Sequence, residues 1–272
     1  MKELFFHFAF LPRIKEFLII LHTMYRRIVL YITRQFLPLL FPRHCPLCGK
    51  LVPYGSFIHK NCHNELPWIH SPVCMRCGKP VSSATQEYCY DCRVFPKSFR
   101  RGTALFLYNK KTRPVMSAFK YQNKRILADF FVQELLAYRL SLLESFGINA
   151  VVPIPIHKNK YKKRGYNQAA LLSARLASSL NLSHYPDMLI RSVDTLPQKQ
   201  FSPQARLNNL KKAFFFNSRY DKLLSQTTSL SVLLVDDIYT SGATMEACTR
   251  ILLEAGISEV YILSICIGVA RD

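Results

Sequence analysis

"SVLLVDDIYTSGATMEACTRILLEAG", residues 231–256, decides the fold of this 272-residue chain. Its opening residues form a continuous apolar run of the kind a buried strand carries, and from Met245 the apolar positions recur at helical spacing up to a closing Gly256. Between them stand two adjacent carboxylates, Asp236 and Asp237, and a loop of small and hydroxyl residues. Ligands of parallel α/β sheets bind beyond the carboxyl ends of the strands, which places the aspartates at the rim and Thr240 to Thr244 in the turn before the helix. Backbone N–H groups there, the hydroxyls of Thr240, Ser241 and Thr244, and the positive end of the helix make a phosphate cradle, and Gly242 lets the turn close. Carboxylates do not suit a phosphate. They suit hydroxyl donors or a hydrated magnesium ion, so the stretch fits a phosphate beside a polyol, a ribose 5-phosphate.

Outward from this stretch, "GTALFLYN" (102–109), "NAVVPIPIH" (149–157), "AFFFN" (213–217) and "EVYILSICIGVA" (259–270) read as strands. "ILADFFVQELLAYRLSLLESFG" (126–147) and "QAALLSARLASSLNL" (168–182) read as helices. Strands alternating with helices predict an α/β fold, a doubly wound parallel sheet with helices on both faces. With 49% hydrophobic residues the chain has ample material for such a core. Cys248 and Cys266 fall on apolar faces of these elements and are expected to be inert core residues.

Seven of the nine cysteines lie between Cys45 and Cys92, in an internal repeat: "CPLCGK" at 45–50 recurs as "CMRCGK" at 74–79. Each copy is followed by a second pair, His59 with Cys62 and Cys89 with Cys92. Four soft or borderline ligands at this spacing bind zinc tetrahedrally, with no position left for a catalytic water. Two structural zinc ions are expected, one on Cys45, Cys48, His59 and Cys62 and one on Cys74, Cys77, Cys89 and Cys92. Spacing favours His59 over the neighbouring His63 and His44 as the fourth ligand of the first. The ligand-like cysteines stop before Lys97, which suggests three parts: a basic apolar segment (1–42), a double zinc-ribbon module (43–97) and an α/β domain (98–272).

The net charge is +20, from 37 basic and 17 acidic residues. Thiolate ligation of two zincs trims this to roughly +17. So strong an excess points to a polyanionic partner: nucleic acid, anionic lipid or a polyphosphorylated substrate. No acidic residue occurs between Glu144 and Asp187, whereas Lys158, Lys160, Lys162, Lys163 and Arg164 crowd one predicted loop with Tyr161 and Tyr166 nearby. Such a run neutralises a pyrophosphate or follows a nucleic-acid backbone. In residues 1–42, Lys15, Glu16, Arg26, Arg27 and Arg34 interrupt every candidate membrane span. A packed helix is expected there, with a basic amphipathic helix on a membrane or partner surface as the alternative. The cysteine usage fits a reducing cytoplasm.

"VLLVDDIYTSGAT" resembles the phosphoribosyl pyrophosphate (PRPP) motif of type I phosphoribosyltransferases. Together with "VVPIPIHKNKYKKRGYNQA" (151–169), "RSVDTLPQKQFSPQARLNNLKKAF" (191–214) and the cysteine-rich front end, it is similar to the ComF family, in which a zinc-ribbon module precedes a phosphoribosyltransferase domain. The resemblance covers about residues 41–270. It implies that Asp236 and Asp237 contact the ribose hydroxyls and that Thr240, Ser241, Gly242, Ala243 and Thr244 hold the 5-phosphate. His157 and Lys158, after "PIPI", would face the pyrophosphate, with magnesium bound alongside PRPP. The "TLPQ" to Arg206 stretch corresponds to a flap over the site, and Asp236, Asp237 and Arg206 are the implied catalytic residues. Single-stranded DNA, and proteins of the DNA-uptake machinery, are the partners implied, through a role in natural transformation. The alternative is an active phosphoribosyltransferase with an unidentified acceptor. Against it stands Thr240, at the position where purine-base enzymes carry an acidic general base. The chain also resembles glutamine amidophosphoribosyltransferases, but no cysteine precedes Cys45, so ammonia release from glutamine is not expected.

Overall fold

The computed structural model describes residues 21–25, 29, 42–193 and 212–268. The chain divides into two compact units, Met1–His59 and Lys60–Asp272. In the first, residues 21–25 and 29 are helical and exposed, residue 42 is exposed, and the other residues of the 1–42 segment, for which the sequence predicts a packed or amphipathic helix, lie outside the described residues. Among the described residues no helix is long and apolar enough to cross a membrane.

The second unit is built on a parallel five-stranded sheet. Its strands are β1 (Gly102–Leu107), β2 (Ala150–Pro153), β3 (Ser183–His184), β6 (Ser231–Tyr239) and β7 (Glu259–Ile267), in the order β1-β7-β6-β2-β3. β4 (Leu189–Arg191) and β5 (Phe214–Phe216) form a separate antiparallel pair. "AFFFN" is thus a strand as expected but stands outside the parallel sheet. The helices that frame the site are α1 (Thr112–Tyr121), α2 (Leu127–Glu144), α3 (Lys158–Arg164), α4 (Gln168–Leu180) and α5 (Ala243–Glu254).

β6 is central and reads as a nearly unbroken apolar run because both its faces are covered. Side chains alternate between faces. Ala150, Val152, Val232, Leu234 and Ile262 share one core cluster with Cys248 and Leu252 of α5. Val151, Leu233 and Leu263 are fully buried on the opposite face, where α4 contributes Leu172 and Leu176. The doubly wound arrangement predicted from the alternation of elements is therefore present. Cys248 and Cys266 are fully buried within it.

Two elements differ from the sequence reading. Lys158–Arg164 is a helix in place of the predicted loop: His157 caps its start by accepting a hydrogen bond on Nδ1 from the Asn159 N–H, and Gly165 ends it in the left-handed region. α1 is an additional helix that the sequence pattern does not announce. It buries Val115, Met116, Ala118 and Phe119 along one face. The second cysteine repeat belongs to the same compact unit as the sheet, and its four thiols join the core cluster of Val232, Leu234 and Tyr239.

Candidate functional site

Cys45, Cys48, His59 and Cys62 hold their ligand atoms within 4.8 Å of one another, and so do Cys74, Cys77, Cys89 and Cys92. The spacings suit zinc. With Zn–S bonds of about 2.3 Å, a tetrahedral S–S edge is about 3.8 Å, and Cys77 Sγ stands 3.6 Å from Cys89 Sγ. In the first set Cys48 Sγ is 3.3 Å from His59 Nδ1, while His59 Nε2 donates to the Leu51 carbonyl at 2.6 Å, which orients the ring with Nδ1 toward the thiols. His63 is turned away, to Glu134 Oε2 at 3.1 Å, and is half-buried, which leaves His59 as the fourth ligand that spacing favours. His44 is exposed.

β6 continues through both aspartates to Tyr239, so the acidic pair lies within the strand's last turns of pleat instead of beyond its end. The register explains why: Asp236 pairs with Ser264 and Ile238 with Cys266 of β7, which extends as far. On the other side Pro153 is the last β2 partner, opposite Val235. The segment Ile154–His157 therefore leaves the sheet on the same rim as Asp236, at the place where ligands of such sheets bind.

The pleat sends the two carboxylates to opposite faces. Asp237 is buried and its Oδ1 pairs with Lys120 Nζ at 3.0 Å, from the last turn of α1. Burial works against the Lys120 ammonium, but the Asp237 carboxylate more than offsets it and holds the lysine pKa above its ordinary value. Asp236 accepts the Asp237 N–H on Oδ1 at 2.8 Å. Burial, and next the adjacent Asp237 charge, push its carboxyl up to about 7. Two carboxylates at one strand end, one paired with a lysine and one raised toward neutrality, can each accept hydroxyl donors or bind a hydrated divalent cation.

Thr240 is exposed, and Ser241, Ala243 and Thr244 are half-buried. Gly242 adopts φ +75°, and a Cβ there would sit 2.1 Å from the Tyr239 hydroxyl, so only glycine fits. α5 starts at Ala243, which gives this loop the helix N-terminus that anion binding requires. Across the rim, Arg164 stacks on Tyr121 at 5.1 Å and Arg125 on Tyr166 at 4.7 Å. Asn167 ties this corner to the sheet by donating to the Ile154 carbonyl at 2.9 Å. His157 is buried at the start of α3, Lys158 is exposed beside it, and Lys162 follows one turn later on the same side.

The strand, loop and glycine of this site are readable from sequence. Lys120 is not: in "AFKYQNKR" it looks like one more solvated cation, and only its apolar neighbours at helical spacing hint that it is drawn inward. Arg206 and the flap that begins at "TLPQ" lie outside the described residues.

Residues 36–93 match the family described as double zinc ribbon domain. Competence protein ComFC of Bacillus subtilis is 28% identical over 72% of this chain and 78% of its own length. Competence protein F of Haemophilus influenzae is 27% identical over 70% and 82%. Over most of its length the chain is thus similar to competence proteins of the ComF type. DNA utilization protein YhgH of Escherichia coli, 23% identical, aligns over 83% of this chain and 97% of its own. Among solved structures, an adenine phosphoribosyltransferase aligns at 17% identity over 62% of this chain and 82% of its own, with a TM-score of 0.33. So loose a superposition carries no argument about the ligand. The similarity accords with two zinc-ligand clusters ahead of a parallel α/β sheet.

Proposed function

We propose that this protein binds PRPP with magnesium at the β6–α5 loop and acts with single-stranded DNA in natural transformation. The observation that carries the reading is the pairing of Asp236 and Asp237 with a loop that only Gly242 can close, at the amino end of α5. Thr240, Ser241, Gly242, Ala243 and Thr244 would take the 5-phosphate, and the aspartates the ribose hydroxyls. Lys120 pairs with Asp237 and aims its carboxylate. His157 and Lys158 would approach the pyrophosphate, with Arg206 closing over it from the flap. Magnesium, when bound, would be held through the carboxylates of Asp236 or Asp237 and would neutralise phosphate charge.

The DNA role rests on the names of the relatives and on charge. α3 exposes Lys158, Lys162 and Lys163 together with Tyr161, and the stacked Arg164–Tyr121 pair adjoins it. Cations interleaved with aromatic faces suit a single strand. Action inside the cytoplasm alongside DNA-uptake proteins, with residues 43–97 as a scaffold for the domain at 98–272, completes the reading.

An active phosphoribosyltransferase is the second reading, and one observation favours it: Asp236, with its carboxyl near 7, supplies a proton acceptor where Thr240 cannot. Calorimetric titration with PRPP, with and without magnesium, on wild type and Asp237→Asn tests the ligand. Pyrophosphate release screened against acceptors tests the enzyme. Single-stranded DNA binding across a salt series tests the partner. Loss of PRPP binding in Asp237→Asn with unchanged DNA binding is the expected pattern, and a wild type that binds neither refutes the reading.

A further inference from the structure

The loop at 240–244 hangs between two posts, and the segment Lys79–Phe99, which contains the second half of the zinc ribbon, holds both. The first post is Tyr239. Its ring lies 6.5 Å from Phe99, edge to face, and 5.8 Å below the Lys79 ammonium. Lys79 is 2% exposed and its Nζ pairs with Asp91 Oδ2 at 2.5 Å. It follows directly on the Cys74–Cys77 turn, where the Cys74 N–H donates to its carbonyl at 2.7 Å, and Asp91 adjoins Cys92. A buried ammonium needs such compensation. The Tyr239 hydroxyl is buried with no hydrogen-bond partner among the described residues and points under Gly242, filling the space a side chain there would take.

The second post is Glu246, in the first turn of α5. It is 2% exposed and accepts from the Ser98 N–H and the Ser98 hydroxyl, both at 2.8 Å, and from Arg250 at 2.6 Å. Ser98 directly precedes the fully buried Phe99 that packs on Tyr239. One side chain before the loop and one after it are thus fastened to the same short stretch of chain.

We infer that the second zinc site is a positioning device for the ribose-phosphate loop: through Lys79 on Tyr239 and Ser98 on Glu246, zinc at Cys74, Cys77, Cys89 and Cys92 sets the order of residues 240–244 and with it their affinity for ligand. The inference rests on the reading of that loop as a PRPP site, but its first readout does not need a ligand. Chelation of this zinc would release the loop and lower binding, which ties ligand affinity to zinc supply.

Hydrogen exchange followed by mass spectrometry on the full chain tests this in wild type, Lys79→Met, Ser98→Ala and, as a control at the other zinc site, Cys45→Ser. Zinc content is measured on each sample, and PRPP with magnesium is the binding probe. Lys79→Met and Ser98→Ala are expected to keep both zincs and to speed exchange across 240–246 by about tenfold, the scale of one charge-assisted hydrogen bond. PRPP affinity falls in step, while β2 and α4 exchange as in wild type. Cys45→Ser loses one zinc and leaves the loop unchanged. Loop exchange that ignores both Lys79→Met and Ser98→Ala overturns the inference, as does acceleration spread evenly over the sheet. A loop that responds in a wild type that binds no PRPP upholds the coupling and refutes the ligand instead.

Discussion

Replacing Asp236 with Asn is expected to stabilise the protein at pH 8 and to leave it nearly unchanged at and below about pH 4. The carboxyl is raised from 3.8 to about 7, first by burial and then by Asp237. A carboxyl whose folded pKa exceeds its unfolded one contributes fully below the unfolded value, and that contribution is lost as pH rises through the folded value. The window is therefore about pH 4 to 7. Roughly three pH units at about 1.4 kcal/mol each set a ceiling of about 4 kcal/mol. Asp236 keeps some exposure to solvent at the strand end, which brings the expected figure to about 1–2 kcal/mol. Asn preserves the acceptor that the Asp237 N–H uses and adds no charge beside Asp237. In a unit of this size the gain corresponds to a melting temperature higher by about 3–6 °C. Thermal unfolding of wild type and Asp236→Asn across about pH 4 to 8, compared at each pH, measures it. On the proposed reading the same variant should lose PRPP binding, because the destabilising charge is the one that would accept from the ribose hydroxyls. A difference between the two proteins that stays constant across the range refutes the argument that Asp236 is held near neutrality.

Lys120→Met strands a buried Asp237 carboxylate and should cost about 3 kcal/mol in urea unfolding, with Lys120→Arg recovering part of it. Gly242→Ala meets both a φ of +75° and a tyrosine hydroxyl at 2.1 Å, so it should destabilise by about 1–3 kcal/mol and abolish PRPP binding in calorimetry. For single-stranded DNA, neutralising Lys158 and Lys162 together should flatten the slope of log K against log salt by roughly 0.7 for each phosphate that is no longer neutralised, at unchanged PRPP affinity if the two sites are separate.

Much of this molecule is written in short-range pattern. The two zinc sites are legible because a C-x-x-C turn, its glycine and the following pair are local, so ligand identity survives without knowledge of the rest of the chain. The strand, acidic pair, loop and helix of 231–256 are legible for the same reason. The true end of β6 is hidden because charge usually marks a strand's end, whereas here β7 extends far enough to pair with Asp236 and Ile238. α3 reads as a loop because its lysines mask any apolar period, and its start depends on a capping histidine.

By itself, then, the sequence determined the zinc ligands, the alternating α/β architecture and the loop that suits a ribose phosphate, since each is encoded by neighbours in the chain. Tertiary structure alone decided which of 37 basic residues pairs with Asp237, that Tyr239 lies under Gly242, and that Ser98 reaches Glu246 148 positions away. Those interactions join segments far apart in the chain, and the burial and charge that define them exist only once the sheet has brought the segments together.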